Sequence, residues 1–544
     1  MRRKSIRQSC ACTDLERALF DLQSRNADCF QRPHARLVLL ACSQFYLYGL
    51  LAALLLLASL DCNVRRVHLL LLRVQWSVAY FFAGCAKCSA EFLIRREPLR
   101  AYLQMGVASG MPLEPLAPLL TAEPTVAAAA IFALTFDLGA AFALWFQPTF
   151  RPFCALAAAF HLTNAMMFCT IGSFPFVSLA SCLLFTEATP LAKPMEQPQR
   201  SGEQCKAGSG KAGSGKAGSG KADRSNGHRI GDNKSRQSIL AAISVWCAVQ
   251  ILLPLRHHLL SDDVAWTKLG NEFAWRMMAD TTDGWVDLTL TLHPTNRSFR
   301  LHPQSLPPAP VTLTSHSIRQ LLASPGNLQQ YVVAERDAAA KALLGGALGS
   351  EASAERNRFR PGGASNHGRG GRRLSVHAEC WKSVNGRPYQ RYCDPTFDFG
   401  GQDGLDAPLS LWSMSPRWML PRLLGPWGAP SEADVAADAA ANEWRARGYT
   451  AEAFVDAPGR PPWRDTILHS SGYREGRVLC THGRLAMRPA APLGAAGDPR
   501  QLDAGARAEW TRLSVGESAQ LRIGTAHELR NDDALPASWI YVMR

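Results

Sequence analysis

Apolar residues crowd the first half of the chain in long runs and thin out after residue 255. Leu37–Leu60 carries no formal charge and is long enough to cross a hydrocarbon core of roughly 30 Å. Val67–Gly84 and Ala127–Phe146 follow as further hydrophobic elements, then Phe160–Phe185, and Ser238–Leu253 is the last. Unbroken runs of this kind predict helices buried in lipid or in one another. Beyond them the pattern changes. From Trp285 to Leu292 apolar and polar residues alternate, which predicts a half-buried strand, and Phe299–His302 is placed to pair with it as a hairpin. Leu328–Leu344 and Glu432–Arg447 read as helices, and Leu513–Arg544 as short strands with a Gly516-Glu517 turn. The expected fold class is a membrane protein, an α-helical transmembrane bundle followed by an α+β domain with a β-rich C-terminal part.

Polar tracts divide this pattern. Residues 1–36 form a basic tail without the apolar h-region of a cleavable signal, so targeting falls to the first span of a transmembrane domain over 37–187. Residues 188–236 are a basic linker in which Lys206-Ala-Gly-Ser-Gly repeats up to Gly220, a tract with nothing to build a core. Its positive charge places it in the cytosol. The last transmembrane helix, 237–254, then carries 255–544 to the other side, the lumen of the endoplasmic reticulum in a eukaryotic cell. The sequon Asn296-Arg297-Ser298 agrees with that side. A Gly/Arg-rich insertion at about 345–373 is expected to be disordered.

The net charge of +14 raises the question of nucleic acid. The surplus lies in tails and a loop, not in a stripe interleaved with aromatics, so no nucleic-acid partner is expected. The 15 cysteines lie mostly inside apolar runs, which excludes a secreted disulfide framework; in the soluble part Cys380 and Cys393 can pair. His257, His258, Asp262 and Asp263 cluster after the last span, but their spacing fits no zinc pattern and no metal is expected.

Within Gln75–Leu93, a single lysine, Lys87, follows the apolar and aromatic run Trp76–Gly84. A lysine at the centre of a spanning helix costs about 2.5–3.5 kcal/mol on insertion scales. Either Lys87 snorkels to the headgroups, or desolvation strips its proton and leaves a neutral amine, a general base. Cys85-Ala86-Lys87-Cys88 also has the spacing of a thiol–quinone redox pair. Asp137 interrupts the third span, where a carboxylate must find a partner or take a proton; a structural contact inside the bundle is the expectation. His161 and Asn164 are three apart and share a helix face.

These segments carry a resemblance. YFFAGCAK looks like the Y-F-x-A-G-x-x-K of the vitamin K-dependent γ-glutamyl carboxylases, Tyr46–Leu51 like Y-L-Y-G-L-L, and IFALTFDLGAAFALWF like L-L-D-L-S-A-G-F-L-L-F-F. Phe160, His161, Asn164, Phe168, Ile171, Gly172 and Phe174 match F-H-x-x-N-x-x-x-F-x-I-G-x-F. Trp381, Asn385, Arg387, Gln390, Arg391, Asp394, Pro395 and Asp398 match W-V-x-I-N-x-R…Q-R-x-x-D-P-x-x-D. The resemblance implies that Lys87 is the catalytic base, with His161 beside it, acting on vitamin K hydroquinone. Reaction with oxygen then yields a base strong enough to take the γ-hydrogen of a peptidyl glutamate, to which carbon dioxide adds. The products are γ-carboxyglutamate and vitamin K epoxide. It also implies that Tyr80, Asn164 and Phe168 hold the quinone, and that Asn385, Arg387, Arg391 and Asp394 lie against a glutamate-containing protein substrate.

The match has departures. Gln44 stands where the family usually has a histidine implicated in catalysis, and Ala86 where it has a first lysine. Few residues precede the first span where the family has several helices, and animal members continue past the C-terminus, so the chain is expected to be divergent and truncated at both ends. The alternative is an inactive member that serves as a membrane-anchored binding or scaffold protein. No feature of the sequence speaks to oligomeric state.

Overall fold

The computed structural model describes residues 43–60, 66–108, 114–168, 171–186, 224–260, 263–293, 297–301, 315–346, 373–400, 409, 414–425, 428–465, 475–490, 509–521 and 527–544. The N-terminal tail, most of the linker, the sequon's Asn296 and nearly all of the Gly/Arg-rich insertion lie outside them.

The first part is helical. It comprises α1 (Ser43–Leu60), α2 (Arg66–Lys87), α3 (Glu97–Ala108), α4 (Glu123–Ala143), α5 (Gln147–Met167), α6 (Phe174–Ser181) and α7 (Arg224–Leu255). A π-helical turn, Glu91–Arg95, joins α2 to α3. Helices α1, α2, α4 and α5 enclose a core of Leu47, Leu54, Trp76, Ala79, Tyr80, Phe136, Ala140 and Ala157. Among the described residues two helical segments are long and apolar enough to cross a membrane, Val67–Lys87 and Glu123–Ala143; Tyr46–Leu57, Phe174–Phe185 and Leu240–Leu255 are apolar but shorter.

Three expected boundaries move. The third span begins at Glu123, because Pro124 sits in the first turn where its missing N–H costs nothing. It ends at Ala143, and a second proline-led start opens α5 at Gln147. The stretch Phe160–Phe185 is divided: α5 closes at Met167, Gly172 takes φ +62°, and Pro175 lies in the first turn of α6. The last helix begins at Arg224, so it takes in the end of the expected linker.

The second part is a layered α/β unit. Strands β1 (Thr282–His293), β2 (Arg297–Leu301), β3 (Arg373–Val384), β4 (Tyr389–Arg391), β5 (Thr450–Asp456), β6 (Trp463–Asp465), β7 (Gly476–His482), β8 (Leu485–Pro489), β9 (Thr511–Leu513), β10 (Ser518–Leu521), β11 (His527–Asn531) and β12 (Ala537–Met543) form two sheets. The larger runs β10-β7-β12-β5-β4-β3-β1-β2, and the smaller β6-β11-β8-β9. Every pairing is antiparallel except β4 with β5. The expected hairpin forms, with Leu290 opposite Phe299.

Alternation along β1 sorts the layers. Val286, Leu288 and Leu290 face helices α8 (Ser315–Leu322) and α9 (Pro325–Gly346) through Ile318, Leu322, Leu328 and Val332. Trp285, on the other face, joins Trp381, Phe454, Trp463 and Trp539 against the smaller sheet's Leu485, Met487 and Leu529. A last helix, α10 (Glu432–Ala446), starts at a Ser431/Asp434 capping box and lays Ala433, Ala437 and Ala441 on β5 and β12. Cys380 on β3 and Cys393 after β4 are joined by a disulfide.

Candidate active site

Lys87 ends α2, and its side chain is only 6% exposed. Its Nζ donates to Asp137 Oδ2 at 2.6 Å, to the Met277 carbonyl at 2.8 Å and to the Ala83 carbonyl at 3.4 Å. Three acceptors match the three N–H groups of an ammonium. The amine is thus partnered, because a carboxylate from α4 reaches the same spot. Removing either member of such a pair strands the other and costs about 3–5 kcal/mol.

Deeper in the bundle the Tyr80 hydroxyl and His161 Nε2 are 2.8 Å apart, and His161 is 1% exposed. The seven-residue step places Tyr80 and Lys87 on one face of α2, about 10 Å apart along its axis. Phe136 meets both Tyr80 and His161, with Phe160 and Phe174 closing the ring of aromatics. Ser178 lies beside the Tyr80 phenol. His161 Nδ1 and both amide atoms of fully buried Gln75 make no hydrogen bond among the described residues.

Asn164 is half-buried one turn on, and its carbonyl accepts from Phe168 N at 2.9 Å to close α5. Phe168 turns to a different cluster, with Leu103, Val126 and Met167, and its ring lies 6.2 Å from that of Tyr102. It does not share the Tyr80–His161 pocket. Gln44 falls on α1, but its side chain is outside the described residues.

The expected substrate-binding set is engaged within the fold. Asn385 (φ +56°) and Gly386 (φ +66°) form the turn after β3, and Asn385 Oδ1 accepts from Thr281 N at 2.9 Å. Arg387 donates to Glu91 of the π-helical turn, its Nε at 3.0 Å. Arg391 is buried against Asp456 (3.1 Å), Glu379 (3.3 Å) and the Pro461 carbonyl (2.8 Å). Burial pushes the Asp456 carboxyl up to about 6 despite Arg391 beside it. Asp394 holds its own turn by accepting from the Thr396 hydroxyl at 2.7 Å. The four thus secure turns and ion pairs, and Arg387 ties the sheet unit to the bundle.

A loop from Lys268 to Asp280 closes the bundle beneath Lys87. Phe273 packs on Tyr46 with ring centres 4.7 Å apart, and Trp275 is fully buried. Phe273, Trp275 and Met278 hold φ of +60°, +55° and +53°, conformations that cost of order 1–3 kcal/mol each outside glycine. The loop's far end is tied down where Lys268 and Arg276 pair with Asp280.

The remaining candidates have other roles. Cys85 and Cys88 are exposed at the C-terminal end of α2. His257 Nδ1 lies 2.7 Å from the Pro254 carbonyl, while Asp263 caps a helical turn and pairs with Arg422. Sequence reasoning missed the Asp137–Lys87 pairing and the Met277 carbonyl. The first had a signal: opposite charges in two apolar helices of one bundle must find each other. The second, a main-chain group, had none.

A helical bundle with the buried Lys87–Asp137 pair, seated on a layered sheet unit, is the class of protein the geometry defines. Residues 40–189 match the family model of the HTTM domain, and residues 235–421 that of the vitamin K-dependent gamma-carboxylase lumenal domain. Together they span more than half of the chain, which belongs to the vitamin K-dependent gamma-carboxylase family. No curated protein matches it. Similar solved structures include Drosophila melanogaster CENP-C bound to CAL1 (12% identity, 17% of this chain and 64% of that one, TM-score 0.13). A Cupin_2 domain of an XRE family transcriptional regulator from Enterobacter cloacae matches at 18% identity over 18% of this chain and 84% of that one (TM-score 0.13). Hydroxypropylphosphonic acid epoxidase from S. wedmorenis, in complex with fosfomycin, matches at 14% identity over 18% and 46% (TM-score 0.14). The chain thus spans under two thirds of the first of these, and such scores carry no argument about fold or function.

Proposed function

We propose that the chain carboxylates peptidyl glutamate to γ-carboxyglutamate in a vitamin K-dependent reaction, with Lys87 as the base. The observation that carries this reading is buried Lys87 where residues 40–189, which match the HTTM domain, meet residues 235–421, which match the vitamin K-dependent gamma-carboxylase lumenal domain. The residues around it fit a lipid quinol: aromatic walls from Tyr80, Phe136, Phe160 and Phe174, with orphaned polar atoms on His161 and Gln75. Vitamin K hydroquinone supplies the chemistry no side chain has, since its oxidation by oxygen drives removal of the glutamyl γ-hydrogen before carbon dioxide adds. Lys87 takes the starting proton. His161 and Tyr80 orient the quinol, and the closed bundle excludes water from the reacting carbon.

The exposed apolar side chains of the helices, among them Leu56, Ile131, Phe142 and Leu252, suit a lipid bilayer. In this reading the bundle lies in the endoplasmic reticulum membrane with several passes, and the sheet unit presents the protein substrate from the lumen. The test is carbon dioxide incorporation into a glutamate-rich peptide by membranes expressing the chain with reduced vitamin K. Lys87→Ala is expected to lower it by roughly 100-fold or more, the usual share of a general base. Incorporation that survives in the variant removes Lys87 from the mechanism. A folded wild-type chain with none would be the binding or scaffold member that Gln44 favours.

A further inference from the structure

The meeting of Lys87 with Asp137 is built into the helix crossing. Gly84 lies three residues before Lys87 on the same face of α2, and Leu138 adjoins Asp137 on α4. A Cβ on Gly84 would stand 2.6 Å from Leu138 Cδ2 and 3.1 Å from the Leu138 backbone nitrogen. Only a residue without a side chain permits this approach, and the approach brings the carboxylate within 2.6 Å of Nζ.

Of the three acceptors on Nζ, two are main-chain carbonyls that hold no proton at ordinary pH. Asp137 is the one titratable group that touches it among the described residues; Phe92 adds its ring face at 5.8 Å. A lysine with all three N–H groups engaged has no lone pair to offer. Before it can act as a base, one proton must leave, and only Asp137 is placed to receive it. In a low-dielectric bundle the neutral amine–acid pair also escapes the desolvation penalty of two ions. On its other side Asp137 follows Phe136, whose ring packs against Tyr80 and His161.

We propose that Asp137 is the positioning residue of Lys87: it fixes the ammonium at rest and holds its proton while the neutral amine works. The proposal rests on the carboxylase reading. In the step, an N–H bond of Lys87 breaks and an O–H bond on Asp137 forms. No electrons change hands, and the freed lone pair on Nζ takes the hydroxyl proton of the quinol. Asp137 itself does not touch the quinol.

The experiment uses the full chain in lipid nanodiscs, with Asp137→Asn, Asp137→Glu and Lys87→Met. Two readouts are taken: hydroquinone-dependent turnover, and the infrared carbonyl region of the resting protein without substrate. Asp137→Asn is expected to lower kcat by roughly 100-fold, the scale of a lost proton-transfer partner, with KM for hydroquinone unchanged. Asp137→Glu keeps the charge and recovers most of the turnover, which a purely structural role in packing would not produce. In the infrared, Lys87→Met gains a protonated-carboxyl band absent from the wild type, and adding Asp137→Asn to it removes the band. Wild-type kcat in Asp137→Asn beside an inactive Lys87 variant overturns the proposal and leaves the carboxylase reading standing. So does a folded Asp137→Glu with no recovery, or no new band in Lys87→Met. A folded wild type without turnover overturns the reading and the proton-holding role together.

Discussion

Lys382 is fully buried on β3, where its Nζ donates to the Trp266 carbonyl at 2.5 Å and lies 4.2 Å from the centre of the Tyr392 ring. Burial holds its pKa well below the ordinary lysine value; Lys268 and Arg422 push the same way, and Asp280 and Asp263 oppose them. Its folded value thus lies below the unfolded one, near 10.4, and the unfolded chain binds more protons between the two. Stability should therefore rise with pH across that window and fall as pH drops through the folded value. Lys382→Met is expected to flatten this slope and to stabilise by about 1–4 kcal/mol at neutral pH, as when a buried ionic group yields to an apolar one. Unfolding followed from pH 6 to pH 10 (about four units across the window) checks both; a destabilised variant with an unchanged slope would refute it. At this scale legibility was uneven. Lys87 and His161 announced themselves as polar residues inside apolar runs. So did Asp137, and opposite charges in two apolar helices are the signal that pairs it with Lys87, although spacing along α2 alone does not say what α4 brings to it. Asn385, Arg387, Arg391 and Asp394 were legible as a cluster, yet whether such residues hold turns or ligands depends on distances across the fold.

Among the elements, the strands were the most readable, since alternation along β1 reports directly which residues face helix and which face sheet. Helix limits were harder to read. The prolines at 124 and 148 start helices ahead of the apolar residues by which hydrophobicity alone marks them, and a glycine–proline pair breaks a stretch that reads as continuous. The crossing of α2 and α4 gives an element-scale prediction. Gly84→Ala should force the helices apart by tenths of an ångström, destabilise by about 1–3 kcal/mol as overpacking does, and reduce turnover by stretching the Lys87–Asp137 contact. Gly49→Ala on α1 is the control, for nothing lies within 4 Å of a Cβ there. It should be neutral or stabilising by up to about 1 kcal/mol. Thermal unfolding and turnover measured on both variants separate the outcomes, and equal behaviour of the two would show the crossing to be loose.

The whole molecule is held at one seam. Arg387 meets Glu91, Arg95 meets Asp438 at 3.0 Å, the Tyr102 hydroxyl donates to the Asp280 carbonyl at 3.0 Å, and Lys87 reaches Met277. These contacts join residues 178 to 343 positions apart, which is why the two-part organisation was legible and its docking was not. Glu91→Arg should set two cations against each other, loosen the seam and cut peptide carboxylation. Adding Arg387→Glu should restore it by reversing the pair. Limited proteolysis in the 263–281 region reports the loosening; single and double variants cut at the wild-type rate would show that the pair does not hold the seam.

The carbonyl of Met277 has a consequence for how variation in this chain will be read. Because the group belongs to the backbone, replacing the methionine side chain leaves it in place, and a scan of single substitutions would score position 277 as indifferent to the lysine. The changes that do move it lie at Phe273, Trp275 and Met278, whose left-handed turns set the path of the chain. Damage there would surface as a folding defect in a loop, although its effect is on the amine that begins the chemistry.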